Sequence, residues 1–303
     1  MDDAETSATD RNYNTISPSA EMLLMTKGYT NIPFARQAAE LYLHPEKFSV
    51  DVSDKDLTFW ARLAHFESRY WTIDQLLWEL DPKNILEISS GFSFRGLQAV
   101  QENNVHYIDT DLPDVIDVKK RLLAQLEEGI SPQGTLETLP LNALDEAQFA
   151  ETVGRFPQGE IVIVNEGLLM YLNTEEKQRL CNIIRNVLKQ RGGYWITADI
   201  YIKKELDKNL FKLDKKVMDF AKQHNVAENR FDSFEAADEF FRSMGFIIDK
   251  EAEPDYSQLT ALKKVFETAS EQQLQGLKET GKMQATWRLR PKIRRSLNIE
   301  TSP

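Results

Sequence analysis

The chain contains only one cysteine, Cys181, among its 303 residues. A single cysteine cannot form an internal disulfide, and this composition is typical of a reducing compartment. Cys181 stands close to Leu180 and Ile183 in a predicted helix, a setting that favours a buried apolar residue over a nucleophile. We therefore expect neither a disulfide framework nor cysteine-dependent chemistry.

Clusters of positively charged residues and long apolar runs are also scarce. The formal net charge is −11, whereas nucleic-acid binding requires clustered cations, and the only basic cluster lies at residues 292–295. The longest apolar run, residues 161–172, is too short to span a bilayer and contains Asn165 and Glu166. The first fifteen residues are acidic and polar, unlike a signal peptide. We expect a cytoplasmic protein that binds neither nucleic acid nor membrane.

The glycine-rich loops of common nucleotide-binding folds are missing. No GxxxxGK[ST] phosphate loop occurs in the chain. The dinucleotide fingerprint GxGxxG requires glycines where Ser89, Gly91 and Phe94 stand. A phenylalanine at the third position would obstruct helix–strand packing beside a pyrophosphate. NAD and FAD are therefore disfavoured as ligands.

The chain does contain a regular alternation of helix and strand patterns. Apolar residues at spacings of three and four predict a helix that runs up to Leu80 and is ended by Asp81-Pro82. The predicted strands are residues 85–89, 105–109, 135–139, 161–165, 194–198, 246–250 and 284–289. Helical patterns separate most of them. This order predicts a Rossmann-like α/β fold, with a doubly wound, mostly parallel seven-stranded sheet.

One domain, over residues 16–291, is the economical interpretation of this pattern. Residues 1–15 are polar with almost no aliphatic content, which predicts a disordered tail, and residues 292–303 form a second tail. The predicted parts of the domain are a helical amino-terminal extension (16–82) and a sheet core (83–291) with helical insertions at 203–230 and 255–282.

Acidic residues follow several of the predicted strands. Glu87 ends the first strand, Gly91 lies in the next turn, Asp109 and Asp111 end the second strand, and Glu166 follows the fourth. The carboxyl ends of parallel strands share one edge of the sheet, where nucleoside-containing ligands bind. An acid about 20 residues past the glycine suits a pair of ribose hydroxyls. The pattern predicts a nucleoside site at this edge.

Three segments resemble the leucine carboxyl methyltransferase family, a class I S-adenosylmethionine-dependent methyltransferase family with bacterial relatives that are small-molecule O-methyltransferases. They are LEISSGFSFRGL (Leu86–Leu97), YIDTDLPDVIDVKKRLL (Tyr107–Leu123) and VNEGLLMYL (Val164–Leu172). With ARLAHFESRYWTIDQLL upstream, the resemblance covers roughly residues 16–246, in the family's order and spacing. It implies S-adenosylmethionine as the cofactor and methyl transfer as the activity.

The resemblance implies roles for residues around the first strand. Arg69 aligns with an arginine that pairs with the carboxylate of the cofactor, a contact suited to a bidentate guanidinium. Glu87, Ser89 and Gly91 would line the methionine part, with Gly91 allowing close backbone approach. The family's amino-terminal lysine has no counterpart, since Glu21 stands near its place.

Further roles follow for the second strand. Asp111, with Leu112 beside it, would accept both ribose hydroxyls. The alternative role for Asp111 is to cap the helix that begins at Pro113. Asp109 is the alternative ribose ligand.

The remaining implied roles concern the third and fourth strands. Asn142 and Ala143 would lie around the adenine, where the family has an acidic and an apolar residue. Asp145 is the alternative to Asn142, although it is better suited to capping a helix. Glu166 would face the amino group of the cofactor, and Tyr171 would point either into the acceptor pocket or into the core.

The resemblance favours an O-methyltransferase acting on a carboxylate or hydroxyl of a small metabolite. A carboxylate needs no general base, whereas a hydroxyl does. His65 is the histidine nearest to the predicted site, and no cluster has metal-ligand spacing, so we expect no metal. The alternatives are methylation of a protein's carboxyl terminus and a non-catalytic protein that binds S-adenosylmethionine. A dehydrogenase is the least favoured hypothesis.

Overall fold

The computed structural model describes residues 15, 18–49, 51–204 and 215–292. Nearly all of the two predicted tails, residues 1–15 and 292–303, lies outside the described residues. So does the central part of the first insertion, residues 205–214.

Three helices precede the sheet: α1 (Pro18–Lys27), α2 (Ala35–Leu43) and α3 (Leu57–Trp78). The side chain of Asp56 caps α3 by accepting a hydrogen bond from the Phe59 N–H. The predicted apolar stripe of α3 is buried, and Leu63, Ile73 and Leu77 are inaccessible to solvent. The helix ends ahead of Asp81-Pro82, as a residue before proline disfavours helical backbone.

The seven predicted strands all form and belong to one sheet. They are β1 (Asn84–Ile88), β2 (His106–Asp111), β3 (Thr135–Pro140), β4 (Ile161–Asn165), β5 (Gly193–Tyr201), β6 (Phe246–Glu251) and β7 (Gln284–Pro291). Their order in the sheet is β3-β2-β1-β4-β5-β7-β6. The first five strands are parallel, and β7 pairs antiparallel with both β5 and β6. The predicted fold class is confirmed.

Helices cover both faces of the sheet. Those after the sheet begins are α4 (Arg95–Glu102), α5 (Pro113–Leu126), α6 (Glu146–Gly154), α7 (Thr174–Arg191), α8 (Lys215–Gln223), α9 (Phe234–Ser243), α10 (Thr260–Thr268) and α11 (Glu271–Thr280). The predicted capping box of α7 is present, with Asn173 and Glu176 exchanging hydrogen bonds. The second insertion, expected as one helical stretch, is two helices, because Ser270 starts a new capping box.

A buried carboxylate attaches the second insertion to the amino-terminal helices. Glu67 of α3 is inaccessible to solvent and accepts hydrogen bonds from the N–H groups of Thr260 (3.2 Å) and Ala261 (2.8 Å), and from the Thr260 hydroxyl. These are N–H groups of the first turn of α10, which have no partner inside the helix. Glu67 therefore fixes α10 against α3.

The sheet order places a crevice at one edge. β1 lies between β2 and β4, and the chain runs from β1 outward to β3 before it crosses to β4. Connections leave β1 and β4 on opposite sides at this point, which opens a crevice outside their carboxyl ends.

Candidate functional site

A pocket occupies this crevice, and helix α1 lies across it. The loops after β1, β2, β3 and β4 form its floor and walls. The lining residues are 89–93, 111–112, Val115, 141–144, 166–168 and 171–172, with Ser19, Ala20, Leu23, Leu24 and Lys27 contributed by α1. Among the predicted site residues, all except Arg69 and Glu87 line it.

The turn after β1 is tied to the end of β2. Gly91 has a left-handed backbone with φ 53°, and its N–H donates to Asp111 Oδ2 at 2.7 Å. The other oxygen, Oδ1, accepts from the Leu112 N–H at 2.7 Å. Each carboxylate oxygen thus retains a lone pair for another donor. Asp111 does not cap α5, whose N-cap residue is Leu112, without a side-chain cap.

Asp109, the alternative ribose ligand, lies outside the pocket. It is inaccessible to solvent in β2 and forms an ion pair with Lys119 Nζ at 2.6 Å. Lys119 also donates to Ser90 Oγ at 2.8 Å. Asp109 therefore holds Lys119, which in turn contacts Ser90 in the turn after β1. Of the two aspartates, only Asp111 lines the pocket.

Glu87, predicted to lie beside the methionine part of the cofactor, is not among the residues that line the pocket and lies behind the turn. It is inaccessible to solvent and accepts from Arg95 Nη1 at 2.7 Å and the Tyr107 hydroxyl at 2.5 Å. Arg95 also donates to Asp74 Oδ1 at 2.6 Å and to the Tyr70 carbonyl at 3.2 Å. Glu87 holds Arg95, and Arg95 joins β1, α3 and α4 beneath the pocket.

Glu166 has three cations around it. Its Oε1 accepts from Lys27 Nζ at 2.8 Å and from Arg69 Nη2 at 3.0 Å. Its Oε2 is buried, lies 3.6 Å from Arg95 Nη2 and accepts no hydrogen bond from the described residues. Burial alone would raise the pKa of Glu166, but Lys27, Arg69 and Arg95 lower it to about 2.

Arg69 lies behind Glu166 and is not among the residues that line the pocket, and its contact with the cofactor stays a prediction. Besides Glu166 it donates to the Tyr201 hydroxyl at 3.1 Å. Gly167, with φ 85°, permits this arrangement, because a Cβ there would stand 3.0 Å from Arg69 Nη2. Arg69 therefore orients Glu166 from within the core.

Lys27 lines the pocket, although no sequence pattern predicted it. It is the last residue of α1, and only 10% of its side chain is exposed. Burial lowers its pKa, and the attraction of Glu166 offsets this only in part because Arg69 and Arg95 repel the same ammonium. No local pattern marks Lys27, since its role depends on α1 crossing the pocket.

The sequence profile described as leucine carboxyl methyltransferase matches residues 12–185. The chain belongs to the leucine carboxyl methyltransferase family. This confirms the resemblance found in the sequence. No curated protein matches this family member.

Solved structures resemble this family member in fold. A DUF574 family protein from Streptomyces avermitilis has a TM-score of 0.50 at 15% identity, over 90% of this chain and 97% of that chain. Magnesium protoporphyrin IX methyltransferase from Synechocystis PCC 6803 with bound SAH has a TM-score of 0.45 at 9% identity, over 89% of this chain and 98% of that chain. LepI in complex with SAM has a TM-score of 0.40 at 10% identity, over 69% of this chain and 43% of LepI. The chain thus spans less than half the length of LepI.

One side of the pocket is mainly apolar. Leu112, Val115, Leu141, Ala143 and Leu144 line it. Among its polar neighbours, Asn142 uses its Oδ1 to accept from the Leu144 N–H at 3.0 Å. Asp145 caps α6 through the Ala147 and Gln148 N–H groups, as its sequence context favoured.

The far side of the pocket is aromatic. Tyr171 lines the pocket from a short 3₁₀ turn, Leu169–Tyr171. Its ring centroid lies 6.2 Å from those of Phe220 and His224, which come from the first insertion. Beyond it, His65 Nε2 lies 2.7 Å from the Tyr201 hydroxyl. Burial lowers the pKa of His65 to about 3.

Within residues 18–49, 51–204 and 215–292, no three His, Cys, Asp or Glu side chains are grouped as a metal site requires. None of the helices in those ranges combines the length and apolar character needed to cross a membrane.

The charge arrangement around Glu166 predicts acid lability in this family member. A carboxyl group whose pKa falls on folding stabilises the fold above its ordinary pKa of 4.5, and this contribution disappears as the pH falls towards about 2. We expect Glu166 to contribute on the order of 3 kcal/mol that is lost over this range. Urea unfolding between about pH 6 and 2 measures it.

Glu166→Gln is the comparison for this experiment. It should have a shallower dependence of the free energy of unfolding on pH below about 4.5. The other carboxyl groups titrate in both proteins, so only the difference in slope is informative. Equal slopes would show that Glu166 is not stabilised by its three cations.

Proposed function

We propose that this chain is an S-adenosylmethionine-dependent O-methyltransferase that methylates a carboxylate of a small metabolite. One observation supports this most strongly. A single pocket combines Asp111 at the end of β2 with the buried pair Lys27 and Glu166 beside β4. A ribose and a free amino acid group, the two polar ends of this cofactor, need those chemical partners.

The residues of the pocket fit the cofactor at each point. Glu166 lines the pocket, and its carboxylate is an acceptor for an ammonium group. Lys27 shares Glu166 with Arg69, so it has charge left for a carboxylate. The free lone pairs of Asp111 suit the two ribose hydroxyls.

The bound cofactor would supply an electrophilic methyl group on a sulfonium: an acceptor oxygen would attack the methyl carbon in line with the C–S bond, which would break to leave the thioether SAH. The chain's own contribution is binding, orientation and exclusion of water. Lys27 and Glu166 hold the amino acid end, and Asp111 holds the nucleoside. Helix α1, through Ala20 and Leu24, covers the pocket.

The neighbouring titratable groups favour a carboxylate over a hydroxyl acceptor. A general base works best with a pKa near the operating pH. The pKa of Glu166 is lowered to about 2 and that of His65 to about 3, so both are weak bases at neutral pH. A carboxylate acceptor is already ionised there and needs no base.

Calorimetry and a methyl-transfer assay test the proposal. We expect S-adenosylmethionine and SAH to release heat on binding and NAD to release none. We then expect labelled methyl from S-adenosylmethionine to appear on members of a panel of small carboxylic acids. No heat with S-adenosylmethionine would overturn the proposal. Methylation confined to phenols or to peptide carboxyl termini would overturn the acceptor class.

Lys27→Met tests the assignment of the amino acid end. We expect SAH to bind about tenfold more weakly, because a charge-assisted contact is lost. Binding of 5′-methylthioadenosine, which lacks the amino and carboxyl groups, should not change. Lys83→Met, at a lysine with 66% side-chain exposure, is the matched control. Equal weakening of both ligands would contradict the assignment.

A further inference from the structure

Asp199, on β5, is a buried residue for which the function proposed above gives no role. Only 2% of it is exposed to solvent. Its carboxylate accepts from the N–H groups of Gly167 (2.6 Å), Leu168 (2.6 Å) and Leu169 (3.0 Å). It also accepts from Asn165 Nδ2 at 2.6 Å. Three consecutive backbone amides of the pocket wall thus converge on one side chain.

The orientation of Asn165 is set by a second buried residue. The indole N–H of Trp195 donates to Asn165 Oδ1 at 2.7 Å. An indole nitrogen can only donate, so it holds the carbonyl end of Asn165 towards itself. The amide nitrogen of Asn165 must then face Asp199 and Thr197 Oγ1, which lies 3.0 Å away.

Every hydrogen-bonding group that faces Asp199 is therefore a donor. Only an ionised carboxylate satisfies all of them, because an amide or a protonated acid would direct a hydrogen at another hydrogen. A buried donor without an acceptor is costly. The requirement for aspartate at position 199 is thus strict.

The amides held by Asp199 belong to the turn that begins directly after Glu166. Gly167 and Leu168 line the pocket with Glu166, and the turn continues to Tyr171. Gly167 adopts φ 85°, a left-handed conformation that glycine accommodates because it has no Cβ. The path of the backbone through this turn decides where the Glu166 carboxylate lies.

We propose that Asp199 is a positioning residue for the amino acid end of the cofactor. It holds residues 167–169 so that the Glu166 carboxylate stays at the pocket wall, paired with Lys27. It acts on the cofactor only through this turn, since Asp199 itself does not line the pocket. The inference rests on the proposed function, because it presumes that S-adenosylmethionine occupies the pocket.

Asp199→Asn tests this inference. The variant keeps the size of the side chain but turns an N–H₂ group towards backbone donors. We expect SAH to bind at least tenfold more weakly, and 5′-methylthioadenosine to bind within about twofold of the wild type, because only SAH carries the amino acid group that Glu166 contacts. A merely structural role would weaken both ligands together or neither.

Glu67→Gln is the matched control. It removes one buried carboxylate that accepts from backbone amides, but at the start of α10 and not beside the pocket. Both variants should have lower melting temperatures, and only Asp199→Asn should lose SAH affinity, measured by calorimetry well below either melting temperature. Wild-type affinity for SAH in Asp199→Asn would overturn the inference.

Two outcomes separate the inference from the proposed function. If the wild-type protein binds neither ligand, the proposed function fails, whatever the role of Asp199.

If Asp199→Asn does not fold, Trp195→Phe is the second variant, because it frees Asn165 to rotate and leaves the carboxylate of Asp199 in place. We expect Trp195→Phe to weaken SAH binding severalfold and to leave 5′-methylthioadenosine binding unchanged. Unchanged SAH binding in that variant would overturn the inference.

Discussion

Replacing Asp111 with alanine is expected to weaken binding of SAH about 100-fold, equivalent to about 3 kcal/mol. The reason is that one carboxylate would hold two ribose hydroxyls in a pocket where Asp111 is the acid at the end of β2. The same variant should weaken 5′-methylthioadenosine by a similar factor, since both ligands carry the ribose. This distinguishes Asp111 from Lys27 and Asp199, whose variants should affect SAH alone.

Asp111→Ala also removes the acceptor of two backbone N–H groups, Gly91 and Leu112. We expect a loss of about 1–3 kcal/mol in the free energy of unfolding, measured in urea. Binding must therefore be measured at a temperature where the variant is folded. Asp114→Ala, which removes the same charge at an exposed position three residues further on, should bind like the wild type. If the two variants bind SAH equally well, Asp111 does not hold the ribose.

Arg95→Met is expected to cost about 3–5 kcal/mol in the free energy of unfolding. Arg95 forms ion pairs with Asp74 and Glu87, and 1% or less of the Arg95 and Glu87 side chains is exposed. The guanidinium also lies 4.1 Å from the centroid of the Tyr70 ring. Methionine fills much of the space but leaves both carboxylates buried without their cation. Urea unfolding measures the loss.

Two variants make this experiment specific. Arg242→Met removes an exposed arginine that pairs with Asp238 on the same helix, and we expect a change of less than about 0.5 kcal/mol. The double variant Arg95→Met with Glu87→Gln should be more stable than Arg95→Met alone, because one uncompensated charge is removed. A cost below about 1 kcal/mol for Arg95→Met would show that the buried network contributes little to stability.

Local sequence patterns predict the positions of some residues, whereas tertiary packing decides the positions of others. The fold class, the seven strands and the capping box of α7 follow from periodicity and capping residues, and the structure has them all. Gly91 and Asp111 were predicted to lie together because parallel strands end at one edge, and they form a hydrogen bond. Their location depends on the sheet order alone.

The three acids near the ends of the first two strands differ in their surroundings. Glu87 and Asp109 lie inside β1 and β2, whereas Asp111 is the last residue of β2. Glu87 and Asp109 are buried and pair with Arg95 and Lys119. The sequence marks all three as acids after apolar runs, and the pattern does not fix the last residue of each strand closely enough to tell them apart.

The sequence by itself determined the parallel sheet, the family and the edge of the sheet at which the pocket lies, because these depend on short-range patterns along the chain. Only the tertiary structure decided that Lys27 and not Arg69 lines the pocket, and that Asp199 holds the turn after Glu166. Both roles join residues more than thirty positions apart. Such contacts arise from the packing of α1 and β5 around one turn, and packing is a property of the folded chain.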